Sequence, residues 1–257
     1  MINIENANIE FDKYVSKFNQ NDEKIKLKIE HIKRVAIMSR KIAQSLCLNA
    51  EQIKLAELIG LLHDIGRFKQ VKLYNTFNDK NSVNHAELAI KILFDENLID
   101  NFNINEKYKK IIRLAVINHN KNRIDDNLND EEMLFAKIIR DADKLDIYYM
   151  ICEYNLSSVF WYTDFNNKQI SKNIMNDFIN YNIVDYSNIK SNSDQIPIFY
   201  AYIFDLNFDF SLELLKREKY LDKFTDRIYQ NFRSDIVKQQ VKQILDISNN
   251  FINEKSN

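Results

Sequence analysis

Glycine and proline are almost missing from this chain. Its 257 residues include two glycines and one proline. Sandwiches and barrels draw their tight turns from these residues, so an all-β architecture is excluded. A Gly-rich phosphate loop and a dinucleotide-binding fingerprint are excluded for the same reason. Cysteine is scarce too. Cys47 and Cys152 are too few for a disulfide framework and lack metal-pair spacing. Their apolar neighbours Leu46, Leu48 and Ile151 predict that both are small core hydrophobes. No sign of charge dominates: 36 Lys and Arg face 37 Asp and Glu, for a formal charge of −1. Nothing therefore advertises nucleic acid as a partner, and no acidic tail is present. No apolar run approaches the ~18–20 residues of a membrane span. The first residues, Met1–Tyr14, lack a charged-then-apolar leader pattern. The expectation is a cytoplasmic chain with no membrane partner.

What is present is helical periodicity and asparagine. The length suffices for one or two domains with a substantial core. A short helix is expected around Ile9–Phe18, then a long one over Asp22–Leu48 with Ile25, Ile29, Ile32, Val35, Ala36, Ile42 and Ala43 on one stripe. Asn49, with Gln52 at the capping-box offset, opens a helix to Asp64, and Gly66 is expected to end it. The polar stretch Phe68–Val83 reads as a loop. Asn84 and Asn105 cap helices running to about Asn97 and Asn120, residues 121–130 form a loop, and a helix spans 131–154. Further helices are expected at 170–181, 195–206, 211–217, 219–230 and 233–252. No repeat or linker appears. The expected organisation is an N-terminal segment (1–21), a core (22–155) and a helical extension packed on that core (156–257). Tail aromatics such as Tyr200, Tyr202, Phe204 and Phe208 are expected in its core, with the wall of a binding pocket as the alternative use.

The four histidines are not scattered. His31, His63, His85 and His119 all lie in the first half, and the tail has none. Each stands at the edge of an apolar stripe or at the end of a predicted helix. Asp64 follows His63 directly, and Asp143 sits mid-helix between Ile139 and Ile147. Taken singly, each residue has an ordinary structural use. Taken together they are five helices presenting imidazole or carboxylate inward, which is how helical bundles build metal centres. A buried carboxylate needs a partner. Imidazole with carboxylate and no thiolate suits Fe, Mn, Zn, Co or Ni, with Mg also open. Four imidazoles and two carboxylates are enough for two adjacent ions sharing one carboxylate, a set suited to displacement at phosphorus.

At these residues the sequence resembles the HD superfamily of metal-dependent phosphohydrolases. Its H…HD…D pattern is matched by His31, His63-Asp64 and Asp143; LLHDIGR and ADKLD resemble the surrounding segments. His85 and His119 stand where the binuclear branch adds two histidines. The matched region covers about 22–155. The resemblance implies an all-α, HD-domain helical bundle carrying a C-terminal helical extension. It implies one ion on His31, His63, Asp64 and Asp143 and a second on Asp64, His85 and His119, with His63 and Asp64 at the catalytic centre and an activated water as nucleophile. The GYP signature of cyclic-dinucleotide hydrolases is absent. The pattern is closest in flavour to small stand-alone bacterial HD hydrolases, including those resembling diadenosine tetraphosphate hydrolase. The expected substrate is a small phosphorylated molecule of nucleotide type, cleaved at a phosphoester or pyrophosphate bond. Arg67 is the first choice to hold its phosphate, with Lys69, Lys121 and Lys144 behind it. Asp146 is placed to accept from a ligand's second ring nitrogen. The alternatives are an HD-type di-iron oxygenase and a non-catalytic nucleotide-sensing module. Substrate and metal identity, the general acid and homo-oligomerisation are left open.

Overall fold

Asparagine starts most of the early helices. Asn3, Asn49, Asn84 and Asn105 are N-caps, each side chain accepting from a backbone N–H of the first turn. Asn49 completes a capping box with Gln52. Asn75, Asn97 and Asn103 adopt left-handed backbone with φ of 53°, 59° and 50°. Asparagine tolerates that conformation better than most residues do, because its short amide bonds locally to the backbone. In a chain with two glycines it takes over much of the punctuation.

The computed structural model describes residues 1–160, 168–181, 184 and 188–255. Among these residues every regular element is helical. The chain divides into two compact units, Met1–Asp146 and Ile147–Asn257. The first contains α1 (Ile4–Val15), α2 (Glu23–Ser45), α3 (Ala50–Leu62), α4 (Gly66–Tyr74), α5 (His85–Ile90), α6 (Glu106–Asn118) and most of α7 (Asp130–Glu153). A π-helical turn, Lys91–Asp95, prolongs α5. The core is lined by Ile32, Val35 and Ile42 of α2, Leu55, Leu58 and Leu62 of α3, Ile112, Ala115 and Val116 of α6, and Phe135 and Ile139 of α7. Each large aliphatic side chain buried this way contributes about 1.5–3 kcal/mol.

Both glycines serve close packing. A Cβ at Gly60 would lie 2.7 Å from Ala36 Cα and 2.8 Å from Ser39 Oγ, so α3 lies directly on α2. A Cβ at Gly66 would lie 2.4 Å from the His85 carbonyl oxygen and 2.7 Å from Ala89 N. Gly66 therefore does not end a helix as its position suggests. It opens α4 and lets α5 approach the backbone.

Three further expectations are corrected. The stretch from Phe68 is not a loop throughout: α4 continues to Tyr74, burying Phe68, Gln70 and Val71, and Asn75 ends it in left-handed backbone. The polar Gln70 inside this face masked the periodicity. The first helix starts at Ile4 rather than Ile9, because Asn3 is its cap. Cys47 is exposed, in left-handed backbone just past α2, while Cys152 is buried.

The second unit holds α8 (Leu156–Val159), α9 (Lys172–Ile179), α10 (Asn192–Ala201), α11 (Asp209–Arg217), α12 (Tyr220–Asn231) and α13 (Asp235–Lys255). Of the tail aromatics expected in its core, Tyr200 is buried, while Tyr202, Phe204 and Phe208 are half-buried. Tyr200 is fully buried, its hydroxyl 2.5 Å from Thr225 Oγ1, and Phe199 and Phe224 pack edge to face. The Ser191–Gln195 row at the head of α10 is also buried, with Asp194 accepting from the backbone N–H groups of Ser171 and Lys190. No described helix is long and apolar enough to cross a membrane.

Candidate metal centre

Five helix positions bring the four histidines and two aspartates to one place. His31 lies on the inner face of α2. His63 and Asp64 occupy the turn between α3 and α4. His85 opens α5, His119 follows the last residue of α6, and Asp143 lies on α7. The donor atoms of His31, His63 and Asp64 lie within 4.8 Å of one another. The same holds for Asp64, His85 and His119, and for His63, His119 and Asp143.

Asp64 sits at the middle, and its two oxygens face different pairs of rings. Oδ2 is 3.5 Å from His31 Nε2 and 3.5 Å from His63 Nε2. Oδ1 is 3.4 Å from His85 Nε2 and 3.7 Å from His119 Nε2. Asp143 Oδ1 joins the first pair, 3.2 Å from His31 Nε2 and 3.8 Å from His63 Nε2.

The opposite edge of every ring is tied down. His31 Nδ1 donates to Asp146 Oδ2 at 2.7 Å and His85 Nδ1 to Asp79 Oδ2 at 2.5 Å. His63 Nδ1 donates to the Gly60 carbonyl at 2.7 Å and His119 Nδ1 to the Val116 carbonyl at 2.6 Å. Carbonyls and ionised carboxylates only accept, so the proton belongs on Nδ1 and the Nε2 lone pair points at the cluster. Each ring pair thus has one carboxylate-backed and one carbonyl-backed imidazole. The two carbonyl-backed rings share one local geometry: a histidine just past a helix end, bonded three residues back.

Electrostatics fits a cation. Burial lowers the His63 pKa to about 3 against the pull of Asp64 and Asp143. Burial, helped by the Arg67 charge, lowers that of His85 to about 4. Burial and the Lys28 ammonium push His31 down, but the Asp143, Asp146 and Asp64 carboxylates around the ring outweigh them and raise it to about 10. Burial raises the Asp64 carboxyl, and Lys28, His63 and Arg67 reverse that and hold it well below the usual range. Burial likewise opposes ionisation of Asp143, and the adjacent His31 ring overcomes this, so its pKa is lowered. Asp64 pairs with Lys28, Asp79 with Arg67 and Asp146 with Arg34. Asp143 faces ring nitrogens alone among the described residues.

Among the metal-ligand candidates, the buried atoms His31 Nε2, His63 Nε2 and Asp64 Oδ1 have no hydrogen-bond partner, and neither does Arg67 Nε, 3.5 Å from Asp64 Oδ1. His85 Nε2 and His119 Nε2 stand 3.0 Å apart. With both Nδ1 atoms protonated, two lone pairs face each other there, an arrangement that favours a cation between them. Nitrogen and carboxylate donors without thiolate match Mn, Fe, Co, Ni or Zn. The residues present fit a divalent-metal site.

The expected phosphate-holding cations lie in different settings. Arg67 borders the cluster, but its Nη1 already donates to Gln70 Oε1, the Phe77 carbonyl and Asp79 Oδ1 at 2.8, 2.6 and 2.8 Å. Lys69 pairs with Glu96 and Lys121 with Asp125. Lys144 is buried, beside Asp143 in α7. Sequence reading passed over Lys28, whose Nζ lies 2.8 Å from Asp64 Oδ2. It also missed Arg34, which forks onto Asp146 through Nε at 2.6 Å and Nη2 at 3.0 Å. Both stand three residues from His31 on α2, a helical offset that could have flagged them. Arg140, three residues before Asp143, donates to the carbonyls of Asn118 and Lys121 at the end of α6, which fixes the turn carrying His119. Asp79 had no such signal, because it reaches His85 from irregular backbone.

The comparison with known families agrees with this geometry: the HD domain family matches residues 29–148. No curated protein and no solved structure matches the chain. The matched span runs from the start of the His31 face to just beyond Asp146 and takes in all six clustered residues. Over residues 29–148 this chain matches the HD domain family, and the His and Asp cluster inside that span is compatible with the metal site of such a domain.

Proposed function

We propose that the protein is a metal-dependent phosphohydrolase acting on a phosphoester or pyrophosphate bond of a nucleotide-like small molecule. One observation carries the reading: the two oxygens of Asp64 are shared between two pairs of Nε2 atoms. A carboxylate so divided suits a bridge between two ions. One ion would be held by His31, His63, Asp64 and Asp143, the other by Asp64, His85 and His119. Such a pair, when bound, supplies a water acidic enough to ionise at a pH of about 7 and positive charge for the phosphoryl oxygens.

The rest is work for the side chains. The Nδ1 bonds orient the rings before any ligand arrives, so little reorganisation is left for the reaction. Asp143 and Lys28 are the open side of the first position: their side chains are 18% and 13% exposed, against 2% for His31 and 0% for His63. Substrate phosphate entering there meets the Lys28 ammonium. That role falls to Lys28, whose ammonium makes one hydrogen bond among the described residues, ahead of Arg67, whose Nη1 makes three, and ahead of Lys69 and Lys121, which pair away from the cluster.

The test is metal analysis of the purified protein, followed by a nucleotide panel with Mn, Fe, Co and Mg. Two ions per chain and metal-dependent phosphate release are expected. Asp64→Ala should lose both ions and all turnover. Full occupancy and full turnover in that variant would overturn the assignment. Oxygen uptake without phosphate release, or tight nucleotide binding without turnover under every metal, would replace it with an oxygenase or a sensor.

A further inference from the structure

The two ring pairs are built alike but supported differently. The carboxylate behind His31 is Asp146, which is buried on α7 and gripped by the Arg34 fork. The carboxylate behind His85 is Asp79, in a short 3-10 turn, Asp79–Asn81, inside the irregular segment between α4 and α5. Its side chain is 31% exposed against 4% for Asp146. Nothing in helix geometry puts Asp79 against His85; side chains of α4 do.

Gln70 is the centre of that arrangement. It is fully buried although polar. Its Nε2 donates to Asp79 Oδ1 at 2.8 Å, Ser82 Oγ at 2.9 Å and the Val83 carbonyl at 3.0 Å. Its Oε1 accepts from Arg67 Nη1, which also reaches Asp79 Oδ1 and the Phe77 carbonyl. One amide and one guanidinium thus hold Phe77, Asp79, Ser82 and Val83. Asp79 Oδ1 goes to this clamp and Oδ2 to His85 Nδ1. A buried amide with that many partners is costly to disturb, since any bond lost leaves a desolvated group behind.

We infer that Asp79, held by Gln70 and Arg67, is a positioning residue of the second metal position, and that this clamp sets the affinity there without altering the first. The inference rests on the two-ion reading above and deepens it. Asp79 fixes the His85 tautomer and makes its Nε2 a better donor. Partners of this kind are worth roughly 10–100-fold in metal affinity. Arg67, expected from sequence to hold substrate, becomes part of the support.

The experiment is a Mn titration by calorimetry, with metal analysis after dialysis, on the full chain. Wild type should bind two ions. Asp79→Ala should bind the first with unchanged affinity and the second roughly 10–100-fold more weakly. Asp79→Asn, which still accepts from Nδ1 but lacks the charge, should fall between. Gln70→Leu approaches the clamp from the buried side and should weaken the second ion in the same direction, with helicity by circular dichroism retained. Equal weakening of both ions, or two ions at wild-type affinity in Asp79→Ala, overturns the inference alone. A wild type that binds fewer than two ions under every condition overturns the two-ion reading as well.

Discussion

At the scale of single residues, what distinguishes this centre is what lies behind each ring. The ligand-type residues were legible because they are few and clustered in sequence; their supports were legible only where they share a helix with them. Asp146 follows Asp143 by three residues, so its place on the inner edge of α7 could be read directly. Asp79 could not, because its position depends on Gln70 and Arg67 of another helix. Lys28 offers a direct test at this scale. Its nearest anion is Asp64, at 2.8 Å. Lys28→Met should leave two ions bound and reduce kcat/KM for the phosphorylated substrate by about 10–100-fold, which corresponds to ~1.5–3 kcal/mol for a lost hydrogen bond to a charged group. Unchanged steady-state kinetics in that variant would remove Lys28 from the substrate site. Asp146→Ala should weaken the first ion roughly 10–100-fold by the same reasoning that ties Asp79 to the second. Metal titration of the two variants side by side reads the distinction.

At the scale of elements, caps and stripes were read well from sequence and contacts between elements were not. Asn49, Asn84 and Asn105 start α3, α5 and α6 as their local pattern predicts, because a cap is satisfied by atoms two or three residues away. Gly66 shows the limit. Locally it looks like a helix stop, yet the reason for a glycine there is the α5 backbone at 2.4 Å from any Cβ. Helix α4 was missed for a related reason: Gln70 breaks its apolar face, and only the segment it holds explains a buried amide there. Gly66→Ala should force α4 and α5 apart and destabilise the protein by about 1–3 kcal/mol, the usual cost of overpacking. Urea denaturation measures this, and second-ion affinity should fall with it, since the displaced backbone is that of His85. A variant as stable as wild type would show that the helices separate without strain.

At the scale of the whole molecule, the first unit buries a set of groups whose satisfaction depends on a cation. His31 Nε2, His63 Nε2 and Asp64 Oδ1 are buried without partners. An ion that binds the folded form and not the unfolded chain stabilises by mass action, by about 2.7 kcal/mol at a hundredfold excess over Kd. Chelation should therefore lower Tm and re-addition of Mn should restore it, as differential scanning fluorimetry would show. A Tm indifferent to chelation in a protein stripped of metal would mean that the cluster is stable as a proton-shared network. The second unit contributes no histidine, and in its core the Tyr200 hydroxyl pairs with Thr225. The sequence alone determined the all-helical class, most helix starts and the six residues of the centre, because periodicity, capping and the crowding of histidines into one half are local or compositional. Only the tertiary structure decided that Asp64 divides its oxygens between two ring pairs, that Lys28 touches it, and that a buried glutamine holds the carboxylate behind His85. Those contacts join residues tens of positions apart, and their energy comes from desolvation and hydrogen-bond geometry that exist only after the helices have packed.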